Sequence, residues 1–343
     1  MRIQEKNDLS VVLTLMEGYP EFVRKFINYK RDDLSPSSLL EYLRDYKFFF
    51  EWMLSNCVDE KDDYLYITLV DLEALTVDDV HRFMNYILED LGKSVQTMQR
   101  KVSSVRSLFN YLNDVEEDRS GNPLLKRNVF RKVSIKRSAD PQSIARKIKD
   151  KVLDRNSIFD FIHFIEFRYR QDQRRNKQSI FCFDRDCERD LCIISLQLHL
   201  GLRVSDLVNL NIDDFLMNEQ SIVLRMNDST VVKQLSSIAA EKIEKYIKVR
   251  EEKYSPETNE NGLFLAIQNG FEQGKRMTKR AIQEMVKKYG RAYGKSELTN
   301  RQLRHSFGLN LVQTTDLITT KNQFGQGIET IQKYGFLADL FDD

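Results

Sequence analysis

The stretch Leu198-His-Leu-Gly-Leu-Arg203-Val-Ser-Asp206-Leu-Val-Asn-Leu210 puts a glycine two residues before an arginine and a carboxylate three residues after it. A buried Arg203–Asp206 pair that holds the start of a helix would explain this pattern on structural grounds alone. Arginine also suits a phosphate, because its planar guanidinium donates two hydrogen bonds at once. Taken by itself, the stretch leaves both interpretations open and favours the structural one.

A second stretch, Leu298-Thr-Asn-Arg301-Gln-Leu-Arg304-His305-Ser-Phe307, lies about one hundred residues downstream. Its two arginines are three residues apart and therefore share one face of a helix. Two guanidinium groups on one face could bind the oxygens of a phosphate from neighbouring positions. They could equally serve packing, so the second stretch is also ambiguous when it is taken alone.

The segments before the first arginine predict helices. Apolar residues recur at helical spacing over residues 39–53, 80–91 and 98–112. Ser38 with Glu41, and Thr76 with Asp79, have the spacing of capping boxes at two helix starts. The third helix carries Arg100 among donors and small side chains on its outer face, which could lie against a DNA backbone or simply be solvated. Residues 1–118 are therefore predicted to be a helical bundle.

The second part of the chain is also mainly helical. Residues 221–226 and 231–235 predict a β-hairpin with a polar turn over 227–230. Helical patterns return over residues 239–254 and 278–289. The expected fold class is mainly α with a small antiparallel β-sheet in a C-terminal domain over residues 150–343.

Charge is distributed unevenly along the chain, although the net charge is only +1. Residues 1–93 hold 11 Lys and Arg against 19 Asp and Glu, whereas residues 119–180 hold 17 against 6. We interpret residues 119–149 as a basic interdomain segment, for which a polyanion such as DNA is one explanation and a solvated linker another. The candidate DNA-binding residues are Arg100, Lys126, Arg127, Arg131, Lys132, Lys136 and Arg137.

Several classes of protein are not expected. No apolar run approaches the roughly 18 residues of a membrane helix, and residues 1–8 have no apolar stretch behind their charges. A cytoplasmic protein with four reduced cysteines is expected. Cys182, Cys187 and Cys192 recur every five residues, which matches no usual zinc spacing, so packing is favoured over a metal site.

Taken together, the two arginine stretches resemble the tyrosine recombinase family. Residues 201–207 are similar to its first-arginine motif G-L-R-x-S-E-L, and residues 303–307 to its second-arginine motif L-R-H-[ST]-F. Phe324-Gly325-Gln326 stands where the family has L-G-H, and Tyr334 follows near the place of the nucleophilic tyrosine. Residues 40–52 and 127–133 resemble the single-recombinase Xer subtype, which resolves chromosome dimers in some Gram-positive bacteria.

The resemblance implies a two-domain DNA clamp, with a SAM-like core-binding domain followed by a catalytic domain. Double-stranded DNA would be the partner, and no metal ion or nucleotide cofactor would be needed. The protein would act as a homotetramer on DNA. The apolar tail over residues 336–341 would dock on a neighbouring subunit; the alternative is that it caps its own domain.

The resemblance also assigns roles to residues. Arg203 and Arg304 would bind the phosphate, and Tyr334 would attack it to form a 3′-phosphotyrosyl link. Asp206 would hold the Arg203 region in place.

Three positions depart from the family pattern. Arg301 stands where the family has a histidine, and Gln326 where it has histidine or tryptophan. The lysine that protonates the leaving oxygen has no clear counterpart in residues 226–230; Lys233 is the nearest candidate and Arg225 the next. Two hypotheses follow, an active recombinase with an altered acid–base set, or a DNA-binding or architectural protein that keeps the fold and has lost the reaction.

Overall fold

A computed structural model describes residues 3–58, 61–134, 140–174, 176–225, 230–267, 272–325 and 327–342. The chain forms two compact units, Met1–Ser138 and Ala139–Asp343. Their boundary falls inside the basic segment 119–149, and the two halves of that segment pack into different units. Val129 and Phe130 are buried in the first unit, whereas a helix over Pro141–Ile148 belongs to the second.

In the described residues of the first unit, all the helices and strands that are assigned are helices. An aromatic-rich core lies between its helices and includes Phe49, Phe83, Phe109 and Phe130, whose rings contact one another. The helices are α1 (Ile3–Met16), α2 (Glu21–Lys30), α3 (Pro36–Asn56), α4 (Leu69–Ala74), α5 (Val77–Asn85) and α6 (Val95–Asp114).

One of the two predicted capping boxes is confirmed and the other is wrong. At the start of α5, the Asp79 backbone donates to the Thr76 hydroxyl and the Thr76 backbone donates to the Asp79 carboxylate, at 3.2 and 2.7 Å. Helix α3 instead begins at Pro36, because proline is well tolerated in the first turn. Its cap is Ser35, whose hydroxyl accepts from the Ser38 backbone.

The second unit is mainly helical as well. Its helices are α7 (Pro141–Ile148), α8 (Arg155–His163), α9 (Tyr169–Asp172), α10 (Lys177–Leu200), α11 (Val204–Asn209), α12 (Ser237–Tyr254), α13 (Lys279–Ala292), α14 (Asn300–Thr314), α15 (Leu317–Phe324) and α16 (Ile328–Asp342). Helix α10 is the central element, since its last half is almost wholly buried against α12 and α14. Within the described parts of the chain, no helix is both long and apolar enough to cross a membrane.

The strands of the second unit form two small antiparallel sheets. β1 (Phe215–Leu216), β2 (Ser221–Arg225) and β3 (Thr230–Gln234) make one, and β4 (Leu265–Ile267) pairs with β5 (Gly274–Arg276) in the other. The predicted hairpin is β2–β3, in which Ile222 lies opposite Lys233. Most of its predicted turn lies outside the described residues. The predicted mainly α fold with a small antiparallel sheet is confirmed.

Candidate active site

The first arginine stretch forms the junction between α10 and α11. Helix α10 ends at Gly201, whose φ of 62° lies in the left-handed region. A Cβ at this position would lie 2.2 Å from the Phe307 ring, so glycine is required by both conformation and space. The Asp206 carboxylate accepts a hydrogen bond from the Arg203 backbone at 2.8 Å, which fixes the start of α11. The Arg203 side chain is exposed.

The second arginine stretch forms the first turns of α14 and brings Arg304 to that junction. The Arg304 guanidinium donates to the carbonyl oxygens of Gly201 and Phe324 and lies 4.4 Å from the centre of the Phe324 ring. Burial, followed by the positive charge of Arg203, lowers the pKa of Arg304 to about 10. The guanidinium is thus held by backbone oxygens beside a second arginine, and no carboxylate of the described residues is shown to hydrogen-bond to it.

A cavity of about 430 Å³ opens beside these arginines. We call it the lysine cleft, because Lys233 reaches it from β3 and lines it together with Arg203 and Arg304. The Lys233 ammonium donates to the carbonyl oxygens of Gln323 and Leu200, at 2.6 and 3.4 Å. Burial, followed by the charge of Arg304, lowers the pKa of Lys233.

The other candidate for the lysine position points elsewhere. Arg225 lies at the end of β2 and donates to the buried Asp214 carboxylate at 2.9 Å. It does not line the lysine cleft. Of the two candidates, the geometry therefore favours Lys233.

A second cavity of about 430 Å³, the arginine cleft, lies on the other side of Arg203 and Arg304. Arg301 and Lys287 also line it, so its wall carries four cationic side chains, of which Arg203 and Arg304 line the lysine cleft as well. Coulomb attraction makes such a wall suitable for an anion such as a phosphodiester. Lys287 is not among the site residues predicted from the sequence, because the helical spacing around it does not indicate which cavity it faces.

Tyr334 lies on α16 and is buried, with 1% of its surface exposed. Its hydroxyl is hydrogen-bonded to His305 Nδ1 at 2.9 Å, and its ring lies against Gly308 on α14, where a Cβ would come within 2.5 Å. Burial raises the pKa of Tyr334, although Arg304 and Arg301 oppose this shift. The tyrosine is thus near both arginines but lines neither cleft.

Helix α16 packs on α7 and α14 of its own unit. Leu337 is completely buried there, and Phe336, Leu340 and Phe341 pack against the same apolar cluster. Docking of this tail on a neighbouring subunit stays a prediction. Within the single chain the tail packs on its own unit, as the alternative of capping its own domain predicts. The physical reason is that α7 offers an apolar face, including Ala145 and Ile148, which α16 covers.

The candidate DNA-binding residues of the first unit are mostly at its surface. Arg100 is half-exposed and makes a bidentate ion pair with the buried Asp45, at 2.7 and 3.0 Å. Arg131 pairs with Asp114. The exposed members of the set are Arg100, Lys126, Arg127, Arg131 and Lys132. Gln326 of the candidate catalytic set, and Lys136 and Arg137 of this one, lie outside the described residues.

The described residues hold no group of His, Cys, Asp and Glu that could bind a metal ion. Cys182, Cys187 and Cys192 all lie on α10, where Cys192 is buried in the core. Burial raises the pKa of the Cys187 thiol to about 12.

Comparisons with known proteins agree with this geometry. Residues 175–334 match the phage integrase family. The tyrosine recombinase XerS of Streptococcus agalactiae is 31% identical over 313 residues, which span 88% of this chain and 86% of that protein. XerS of Streptococcus thermophilus is 30% identical over 321 residues, or 89% of each chain.

The fold also matches a solved recombinase. The crystal structure of the XerH site-specific recombinase bound to its difH substrate, in a pre-cleavage complex, aligns with a TM-score of 0.62 at 16% identity and covers 92% of each chain. At that identity the match shows a common fold. With the two XerS relatives, it identifies the chain as a member of the tyrosine recombinases, the phage integrase family of enzymes that cut and rejoin DNA strands.

Proposed function

We propose that this protein carries out site-specific DNA recombination with Arg203 and Arg304 as the phosphate clamp, Tyr334 as the nucleophile and Lys233 as the acid. The activity follows from membership of the family. The residue assignment rests chiefly on one observation, that Arg203, Lys233 and Arg304 line a single cleft although they come from three separate segments.

The chemistry uses the charges of this cleft. The Tyr334 oxygen attacks the phosphorus of a phosphodiester, and the bond from phosphorus to the 5′-oxygen breaks, which leaves a 3′-phosphotyrosyl link. Negative charge that develops on the nonbridging oxygens is stabilised by Arg203 and Arg304. The departing 5′-oxygen takes a proton from Lys233, whose lowered pKa favours that transfer. Arg301 and Gln326 add hydrogen-bond donors without serving as acids.

Tyr334 has to change its environment for this reaction. Its ring is enclosed by α14, Phe324 and its own helix, so a phosphate cannot reach the hydroxyl while α16 keeps its present position. A displacement of α16 when DNA binds would bring the hydroxyl to the phosphate held by Arg304. The apolar face of α16 would then be free to pack on another copy of the chain.

We further propose that four copies act together. Each copy has one Tyr334 and can hold one cleaved strand, whereas exchange between two duplexes requires four strands to be cut. The exposed cations of residues 126–132 would contact the DNA backbone around each cleavage site.

The test is covalent trapping. Cells that express the protein would be lysed in detergent, and the DNA attached to it would be sequenced to identify the target site. A nicked duplex with that site would then be incubated with the purified protein, because loss of a short strand after cleavage traps the phosphotyrosyl adduct. We expect an adduct with the parent protein and none with Tyr334→Phe. Binding of the same duplex without any adduct would instead support an architectural protein.

A further inference from the structure

The reaction requires the phenol of Tyr334 to lose its proton, and the surroundings of that phenol make the loss difficult. Burial raises the pKa of Tyr334 above its ordinary value, so very little phenolate exists at neutral pH. A positioned acceptor would therefore be needed for fast attack.

The charged side chains around Tyr334 cannot accept a proton in their ordinary state. Arg301 and Arg304 lie within electrostatic range of the phenol, and the Lys333 ammonium lies 5.0 Å from the centre of its ring. All three are cations. They can stabilise a phenolate, but arginine and protonated lysine have no free lone pair to receive the proton.

One neutral group is in contact with the reacting atom. Among the described residues, the single hydrogen-bond partner of the Tyr334 hydroxyl is His305 Nδ1, at 2.9 Å. His305 is 6% exposed and follows Arg304 directly on α14, so Arg304 and the imidazole belong to one rigid element. With its proton on Nε2, the ring offers the Nδ1 lone pair to the phenol.

We propose that His305 is a further catalytic residue of this recombinase, the base that takes the proton of Tyr334 as its oxygen attacks the phosphodiester. The inference rests on the proposed role of Tyr334 and requires its hydroxyl to keep the hydrogen bond to His305 while α16 shifts to admit the phosphate. The O–H bond of the phenol breaks, the proton goes to His305 Nδ1, and the oxygen electron pair forms the bond to phosphorus. In rejoining, the imidazolium returns the proton to the departing tyrosine oxygen.

Substrate binding strengthens this base. Burial, followed by the charges of Lys333, Arg301 and Arg304, lowers the pKa of His305 to about 3. A phosphodiester bound at Arg301 and Arg304 places one negative charge beside them and so reduces their effect on the imidazole. The imidazole therefore becomes a better proton acceptor when DNA occupies the site, and it stays neutral and ready to accept when DNA is absent.

The test combines a conservative variant with a more acidic nucleophile. In His305→Asn the side-chain oxygen can keep the hydrogen bond of Nδ1 but cannot take a proton. We expect single-turnover cleavage of the nicked duplex to slow by about 10²–10⁴-fold, with unchanged DNA binding. Trifluorotyrosine has a more acidic phenol than tyrosine. At position 334 it should restore most of the cleavage rate lost in His305→Asn and change the cleavage rate of the parent much less.

Controls separate this role from a structural one. His163→Asn removes an exposed imidazole on α8 and should cleave at the parent rate. A 5′-bridging sulfur substrate should not rescue His305→Asn, because it helps the leaving group and not the nucleophile. Should His305→Asn fail to fold, the same comparison is made with His305→Gln.

Two results would overturn the assignment while leaving the proposed function intact. The first is cleavage by His305→Asn at the parent rate while Tyr334→Phe is inactive. The second is a slow variant that trifluorotyrosine does not rescue, which would indicate a purely structural histidine. Absence of any adduct with the parent protein and its identified site would instead refute Tyr334 as the nucleophile, and with it the role of His305.

Discussion

At the scale of single residues, the site is built from groups whose ordinary chemistry is altered by burial. Lys233 and Arg304 are cations beside other cations. Burial and then Arg304 lower the pKa of Lys233, and burial and then Arg203 lower the pKa of Arg304. His305 is a neutral imidazole enclosed near three cations. Repulsion among these cations lowers the free energy of unfolding of the protein without DNA, and an anionic substrate offsets that repulsion.

The role of Lys233 can be isolated by changing the leaving group. We expect Lys233→Ala to slow cleavage of an ordinary nicked duplex by about 10²–10⁴-fold. A duplex with a 5′-bridging sulfur should be cleaved at nearly the parent rate, because a thiolate leaves without a proton. Adduct formation is measured on both substrates, and Arg225→Ala, which removes the candidate outside the lysine cleft, should have little effect on either. Equal losses on both substrates would exclude Lys233 as the acid.

The buried imidazole predicts a specific dependence of stability on pH. The pKa of His305 is lowered from 6.5 to about 3 in the folded chain, so the unfolded chain binds a proton first as pH falls. The contribution of neutral His305 to the free energy of unfolding is therefore complete above pH 6.5. Below pH 6.5 that contribution is lost, by up to about 1.4 kcal/mol per pH unit.

The free energy of unfolding of the second unit, measured by denaturant titration at pH 7 and pH 5, should therefore fall further in the parent than in His305→Asn. His163→Asn, which removes an exposed imidazole, should behave like the parent. An equal fall of the unfolding free energy between pH 7 and pH 5 in the parent and in His305→Asn would contradict a buried neutral imidazole.

At the scale of elements, the junction of α10 and α11 carries Arg203, and its Gly201 carbonyl accepts a hydrogen bond from Arg304. Gly201→Ala would force an alanine into the left-handed region and drive its Cβ into the Phe307 ring. The conformational cost is about 1–2 kcal/mol, and overpacking adds about 1–3 kcal/mol.

Gly294→Ala is a matched control for this substitution. Gly294 also has a positive φ, of 85°, but a Cβ there would meet nothing within 4 Å. Thermal or denaturant unfolding should show a clearly larger loss for Gly201→Ala, and only this variant should lose DNA cleavage. Similar losses in the two variants would mean that the Phe307 contact contributes little.

At the scale of the whole molecule, the basic part of the sequence places exposed cations on both units. Lys126, Arg127, Arg131 and Lys132 are exposed on the first unit. Further exposed cations, such as Arg155, Arg168 and Arg170, belong to the second. Each Lys or Arg that neutralises a phosphate releases condensed counterions, so DNA binding should weaken steeply as salt increases.

This can be measured with a triple variant. Replacement of Lys132, Lys136 and Arg137 by alanine should weaken binding to all duplex sequences and reduce the slope of log affinity against log salt by about one per lost phosphate contact. Arg24, Arg31 and Lys93 are exposed cations outside the basic segment, and their triple alanine variant controls for net charge. An unchanged slope in the first variant would remove residues 132–137 from the DNA interface.

Much of the fold could be predicted from the sequence, because it depends on local periodicity. The stripes over residues 39–53 and 98–112, the hairpin and the helix after Thr278 all have counterparts in the structure. Helix starts follow less directly from the sequence, as the cap at Ser35 shows, since Ser35, Ser37 and Ser38 could each accept the first backbone hydrogen bond.

The sequence by itself determined the family and the mainly helical fold, because these depend on short motifs and on residues near one another in the chain. Only the tertiary structure decided that Lys233 rather than Arg225 enters the cleft, and that α16 covers its own unit. It alone brought His305 to the Tyr334 hydroxyl across 29 positions. These contacts depend on how α14, α16 and β3 pack, and that packing is fixed by burial of apolar faces from distant segments, which no local pattern records.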